Sequence, residues 1–283
     1  MNTGTVMDLY TVKQKIRNLL PRWLTETLLL VKHSTKPKVP NLQLYSSYTR
    51  GKGGIEIGGP SLLFKTSLPI YDGIASLDGV NFNSTTVWEG NIKSGRTYNY
   101  HKLKTGTQFI SDGTSLLEIP DESYDFVLSS NCLEHIANPI KALIEWKRIL
   151  RTDGALILAL PNKKSNFDHK RPNTPFKHLL WDFENKTGED DMTHFEEIME
   201  LHDLSIDRRA GGIEAFRKRS LQNFANRTLH HHIFDLITMR EMFNFLGMSV
   251  IEEVETDNDL LMLALKKPDS AQTLSAVVPD TSK

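Results

Sequence analysis

A single cysteine, Cys132, stands in the 283 residues. That excludes an internal disulfide framework and a zinc site built from cysteines. No apolar run approaches the roughly 18 residues that a bilayer span needs. The first residues also lack the uninterrupted apolar stretch of a secretory signal, so a cytoplasmic protein is expected. An excess of one charge is missing too. With 34 basic and 35 acidic side chains the net charge is −1, which leaves no field to draw the chain onto nucleic acid. Nor does any repeat appear at solenoid or propeller periods. What is present is globular: 39% hydrophobic and 24% charged residues suffice for a sizeable core and exclude a wholly disordered chain. At about 150 residues per domain the length fits two units, or one large α/β domain with additions.

Residues 6–32 read as a helix, because Leu9, Val12, Ile16, Leu19, Leu20 and Trp23 recur at helical spacing and Pro21 breaks or kinks the run. This is the basic end of the chain. Its apolar stripe either covers the main domain or docks on an anionic membrane surface or a partner subunit. A linker at 36–40 closes this extension, residues 1–40, ahead of a main domain over 41–267. Residues 268–283 have no periodicity and are expected to form a loose tail.

Within the main domain, short apolar segments at 55–57, 74–77, 109–110 and 124–129 each run into a polar or glycine-bearing turn. Residues 82–107 have no clear period and are expected to be largely irregular. Asn138 and Pro139 open a helix with Ile140, Leu143, Ile144, Trp146, Ile149 and Leu150 on its buried face. Asp153-Gly154 then turns the chain into the apolar run 155–160. Thr238 and Glu241 fit a capping box for a last helix, stopped by Gly247, and strands at 248–255 and 260–266 follow. Strands alternating with helices imply a parallel sheet covered on both faces, and the final strand–turn–strand implies an antiparallel edge. Ligands of such sheets lie beyond the carboxyl ends of the strands.

The residues behind those strands are therefore the candidates. They are Glu56, Gly58 and Gly59 after the first, Asp78 after the second, Asp112 and Gly113 after the third, and Ser130 and Asn131 after the fourth. Each is an ordinary turn residue by itself; their succession along one sheet makes them a ligand edge. From Gly58 to Asp78 is the interval of about 20 residues that sets a carboxylate on ribose hydroxyls behind a glycine turn. Asp112 is placed to accept a hydrogen bond from an exocyclic amine such as adenine's. Pro60 has no N–H and makes a poor phosphate cradle, which points to a ligand with ribose and adenine but no essential phosphate.

Residues 121–135 (DESYDFVLSSNCLEH) and 138–161 (NPIKALIEWKRILRTDGALILALP) resemble the second half of a class I S-adenosylmethionine-dependent methyltransferase. The type is the methyltransferase type 11 group that includes ubiquinone-biosynthesis-like enzymes, and the match covers about residues 53–163 and the terminal strand pair. It implies a Rossmann-like, doubly wound, mostly parallel sheet with an antiparallel C-terminal edge strand, and S-adenosyl-L-methionine as cofactor. By this resemblance Glu56, Gly58 and Gly59 surround the methionine part. Asp78 holds the ribose, Asp112 with Gly113 the adenine, and Ser130, Asn131 and Leu133 line the pocket. The family's acidic-x-Gly-x-Gly-x-Gly pattern is kept at Glu56 and Gly58 and broken at Pro60 and Leu62. That break leaves a second reading, a binding or scaffold subunit with this fold and no transfer activity. Pro60 and Leu62 also disfavour a dinucleotide-dependent oxidoreductase. The Glu-Ile-Gly-Gly-Pro-Ser form, with residues 78–82 and 88–90, resembles a bacterial subgroup associated with surface-glycan biosynthesis. The acceptor it implies is a small-molecule or glycan hydroxyl.

Seven of the ten histidines fall between residues 169 and 232, interleaved with carboxylates. This segment, 163–235, is expected to be an insert lying over the ligand edge. Arg171, Thr174, His178, Asp182, Asp190, Asp191, His194 and Glu197 stand out, and His178 and Asp182 share a face if helical. Three readings stay open: a polar surface insertion, an acceptor lid with a His or Asp base, and a divalent-metal site. No compact motif such as H-E-x-x-H is present, so no metal ligands are assigned. With an ordinary pKa of about 6.5, His135, His178 and His194 are the candidate bases for a hydroxyl acceptor. Cys132 reads as a small buried residue, since methyl transfer from a sulfonium needs no covalent intermediate.

Overall fold

The computed structural model describes residues 38–207 and 210–268. The basic helix expected over 6–32 and the tail beyond 268 lie outside the described residues. Among the described residues no helix is long and apolar enough to cross a membrane.

The chain enters through α1 (Leu42–Thr49), β1 (Gly53–Ile57) and a single turn α2 (Leu62–Lys65). Strand β2 (Ser76–Asn81) follows, then a two-strand ribbon of β3 (Thr85–Thr86) and β4 (Gly90–Asn91), then β5 (Gly95–His101) and β6 (Lys104–Ile110). Next come β7 (Tyr124–Ser130), α3 (Pro139–Ile149) and the long strand β8 (Leu150–Pro161). An insert of short helices intervenes: α4 (Phe176–Glu184), α5 (Phe195–Leu201), α6 (Ile213–Ser220) and α7 (Asn223–Asn226). Helix α8 (Leu236–Phe245), β9 (Met248–Glu255) and β10 (Asp259–Lys266) complete the domain.

Eight strands form one sheet in the order β5-β6-β2-β1-β7-β8-β10-β9. Strands β6, β2, β1, β7 and β8 run parallel, and β10 runs antiparallel to β8 and β9. This is the Rossmann-like, mostly parallel sheet with an antiparallel closing strand that the sequence implies; β9 takes the outermost place beside it. At the other margin β5 pairs antiparallel with β6. The order reverses between β1 and β7, and that reversal opens a crevice beyond the carboxyl ends of both strands.

Alternation explains the two cores. Leu156, Leu158 and Leu160 of β8 face α3 and α8, among Trp146, Leu143, Met239, Met242 and Phe243. Ala155, Ile157 and Ala159 face the other way, toward Tyr45 of α1, Phe64 of α2 and Tyr71. Covered on both sides, β8 is thus apolar without interruption from Ala155 to Leu160.

Three elements differ from expectation. Strand β2 does not end before Asp78-Gly79 but runs through them to Asn81, and Ile55 pairs with Asp78 inside the ladder. The stretch expected to be irregular holds β3, β4, β5 and the start of β6. On β5 only Tyr98, Tyr100 and His101 are buried, so the apolar alternation that marks a strand is short. Helix α8 is capped by Asp235, whose side chain accepts from Thr238 N, while Thr238 lies inside the helix and donates to Thr174 O.

Asn138 joins sheet domain and insert. Its Oδ1 caps α3 by accepting from Lys141 N at 3.0 Å, and its Nδ2 donates to Asp182 O of α4 at 3.0 Å. Asn138→Ala removes the cap and strands a buried carbonyl, a loss of about 2 kcal/mol. A fall in Tm of roughly 4–8 °C is expected by calorimetry.

Candidate functional site

The loop beyond β1 is built on Glu56. Its side chain is fully buried and accepts from Tyr98 OH at 2.7 Å, from Ser61 N at 3.1 Å and from Tyr71 OH. Desolvation raises its pKa, opposed by the donors from Tyr71, Tyr98 and Ser61. Glu56 therefore does not face the crevice as a cofactor contact. It is turned inward and braces the loop from below, a correction to the role expected for it. Gly58 adopts φ +82°, and a Cβ there would come within 2.6 Å of Cys132 Sγ; one on Gly59 would come within 2.2 Å of the Glu56 carboxyl carbon. Both positions thus require glycine for reasons of packing. Asn81, at the end of β2, donates to Gly59 O at 3.2 Å and ties the loop to its neighbouring strand.

Asp78 lies inside the ladder and not at the strand end expected for it. Lying three positions before the end of β2, it spends Oδ1 on Thr107 N at 2.7 Å and Oδ2 on Tyr124 OH at 2.8 Å. These bonds knit β2 to β6 and β7, and the strand-end position beside the glycine loop falls to Asn81 instead.

The remaining strand-end residues follow β7 and β6. After β7, Ser130 and Leu133 are buried, whereas Asn131 is exposed at φ +50° with its N–H donated to Ala159 O at 3.0 Å. Cys132 lies behind it, its thiol pushed far up by desolvation. Beyond β6, Asp112 caps its own turn through Thr114 N at 2.8 Å, and Gly113 O is fixed by Trp146 Nε1 at 2.9 Å.

Arg227 crosses this edge from the insert. Its Nη2 lies 3.2 Å from Asp112 Oδ2, its Nη1 lies 2.7 Å from Glu189 Oε2, and its guanidinium sits 5.4 Å from the Phe82 ring centroid. Glu189 in turn accepts from Ala137 N at 3.1 Å. Neither Arg227 nor Glu189 carries a sequence motif, and nothing local would have singled them out. Phe82 directly follows Asn81, but the early end expected for β2 kept it from being read as a strand-end residue.

The three candidate histidines divide between two places. His135 belongs to the 3-10 turn Leu133–His135, which follows Asn131. Its Nδ1 is bonded to Leu229 O at 3.0 Å, and its ring packs between Trp88 at 5.0 Å and His230 at 4.5 Å. Because a carbonyl only accepts, Nδ1 carries the proton and Nε2 the lone pair. Burial, with the charge of His230, lowers its pKa well below the usual value, so the ring is neutral.

His178 and His194 lie together in the insert, with Nε2 atoms 3.0 Å apart, beside His232. Desolvation, reinforced by His232 and His178, lowers the pKa of His194 to about 4. Both rings line a cavity of about 370 Å³ with Thr174, Lys177, Trp181 and Glu197. Asp182 stands beneath them, 2% exposed, which fulfils the shared helix face expected for His178 and Asp182.

Residues 76–158 match the family model for a methyltransferase domain. The match runs from the first residue of β2 into β8, so the glycine loop after β1 lies outside it. Among solved structures the chain is similar to an S-adenosylmethionine-dependent methyltransferase from Mesorhizobium loti, at 13% identity over 80% of this chain and 96% of that one, TM-score 0.47. It is similar to one from Aquifex aeolicus at 14% identity over 89% and 97%, TM-score 0.44. A third, from Methanosarcina mazei, is 15% identical over 82% and 99%, TM-score 0.43. No curated protein sequence matches.

Glu134 gives this region a pH dependence. Both of its carboxylate oxygens are buried without a hydrogen-bond partner, and desolvation, only partly offset by His230, raises its pKa from 4.5 to about 7. The folded chain holds this proton more tightly than the unfolded one. Stability therefore falls as pH rises from about 4.5 to 7 and is level above that, a change of about 3 kcal/mol at ~1.4 kcal/mol per pH unit. Between pH 5 and 7.5 the Tm of Glu134→Gln is expected to fall by about 5–10 °C less than that of the native protein. Equal slopes in a calorimetric pH series would contradict the assignment.

Proposed function

Starting from a class I S-adenosylmethionine-dependent methyltransferase domain as its frame, we propose that this enzyme methylates a hydroxyl of a small molecule or glycan. The reading rests above all on Gly58-Gly59, Asn131 and Asp112-Gly113 each following a parallel strand of one sheet, β1, β7 and β6, at its carboxyl edge. The residues there suit an adenosyl group: a partly exposed carboxylate at Asp112, and aromatic rings at Phe82 and Trp88. When bound, S-adenosylmethionine supplies an activated methyl group. In this reading Asp112 and Gly113 hold the adenine edge, and Asn131 and Ser130 line the floor. Gly58 and Gly59 bound the methionine end, and Glu56 positions their loop. Asp78 contributes by fixing β2 against β6 and β7.

Methylation of a hydroxyl releases one proton, which needs an acceptor within hydrogen-bond reach. We assign it to His135. Its tautomer is set by Leu229 O, so the neutral Nε2 is ready to take a proton as the new bond forms. The insert supplies the cover: Arg227 bridges Asp112 to Glu189 across the crevice, which excludes water from the edge when closed. Sugar hydroxyls call for many hydrogen-bonding partners, and the polar lining of the insert offers them.

Titration calorimetry with S-adenosylhomocysteine is expected to show one site per chain. Asp112→Ala should weaken it by at least about tenfold, or ~1.4 kcal/mol. His135→Gln should retain that affinity yet transfer labelled methyl groups to a glycan-hydroxyl panel about 100-fold more slowly, the usual worth of a general base. An absence of saturable binding would remove the reading of the edge. Undiminished turnover in His135→Gln would remove the base.

A further inference from the structure

The insert brings one ring nitrogen from each of His178, His194 and His232 within 4.8 Å of the others. We propose that these three imidazoles hold one divalent transition-metal ion, zinc above all, with a coordination position left open toward the adjoining cavity. The inference does not depend on methyl transfer.

Three separate segments supply the ligands: helix α4, the residue ahead of α5, and the stretch leading to α8. Convergence of three imidazoles from such distant positions is not a by-product of helix periodicity, unlike the single i,i+4 pair His178 and Asp182. The spacing suits a metal. Bonds of about 2.0–2.1 Å set the ligand atoms of a tetrahedral ion roughly 3.4 Å apart. The Nε2 atoms of His178 and His194 are 3.0 Å apart, so the metal-free pair shares a proton where an ion would enter.

The surroundings of His232 point the same way. Its Nε2 lies 3.0 Å from Asp182 Oδ2, and its Nδ1 is buried without any hydrogen-bond partner. A carboxylate accepts, so Nε2 carries the proton and Nδ1 keeps an unused lone pair at a residue 2% exposed. Asp182 is itself oriented by Thr187 Oγ1, which donates to Oδ1 at 3.0 Å. The same Oδ2 lies 3.4 Å from His178 Nε2, so one buried carboxylate orients two of the three imidazoles, the usual kind of support for histidines that bind metal. Imidazole donors favour zinc and its transition-metal neighbours over magnesium or calcium, which take oxygen. His178 and His194 reach the wall of the 370 Å³ cavity, where Thr174 and Glu197 stand, so a water or a ligand oxygen has access to a fourth position.

The experiment uses chain without a histidine tag, stripped with chelator, dialysed against zinc chloride and measured by plasma mass spectrometry. One zinc per chain is expected, and cobalt in its place should give visible ligand-field bands. The double variant His178→Gln/His194→Gln, both at part-exposed positions, should bind zinc at least about 100-fold more weakly while its circular dichroism stays native. Asp182→Asn should weaken binding about 10–100-fold, the usual effect of removing such support. Glu134→Gln tests the second histidine–carboxylate cluster, Glu134, His135 and His230, and should leave one zinc per chain. The proposal is overturned if native protein retains no zinc or if the double variant retains it undiminished. It is equally overturned if Glu134→Gln alone loses the metal.

Discussion

A carboxylate shut away from water must be met by protein donors or give up its charge, and Glu56 is in that position. Its three donors come from different places: Tyr98 on the edge strand β5, Tyr71 on the turn after α2, and the backbone of Ser61. Satisfying Glu56 therefore fixes the loop after β1 relative to both its own continuation and a strand three places away in the sheet. The same cluster leaves no volume for a side chain at Gly59. The crevice owes its shape to this buried group, even though the group does not face it.

The insert solves a different problem. Arg171 is almost wholly buried, and a buried guanidinium is tolerable only with close carboxylates and further acceptors. It finds Glu197 at 2.8 Å, Asp168 at 3.3 Å and His230 O at 2.8 Å. Asp168, which desolvation alone would raise, is drawn down to about 2 by His230 and Arg171. The apolar cluster of the insert is small, centred on Ile198, Phe216 and Leu229. Polar pairing accordingly contributes much of the order of this layer, and it explains why histidines and carboxylates crowd there. Contacts from Asn138, His135 and Asp112 then attach the layer to the sheet at the end where ligands are expected.

What was legible in the sequence follows from the range of the forces involved. Helix α3 and strand β8 announced themselves through an Asn-Pro start and a continuous apolar run, both local patterns. Asp78-Gly79 misled because it has the form of a turn. Gly79 is in fact a packing site inside β2, where a Cβ would come within 2.2 Å of the Tyr98 ring. Strand β5 is hard to see because a sheet edge buries few of its residues, and Thr238 with Glu241 has the form of a capping box although Asp235, three residues earlier, caps the helix.

Periodicity, caps and the succession of polar residues behind apolar segments point to a doubly wound sheet and to one candidate edge of it. These are determined by neighbours in the chain, so one dimension suffices to see them. Tertiary structure alone decided which carboxylates turn inward and which stay available, and that Arg227 reaches Asp112 from 115 residues away. It also decided that His178, His194 and His232 meet while His135 stands elsewhere. Such choices come from burying charge, and a buried charge takes its partner from whatever the fold has brought beside it.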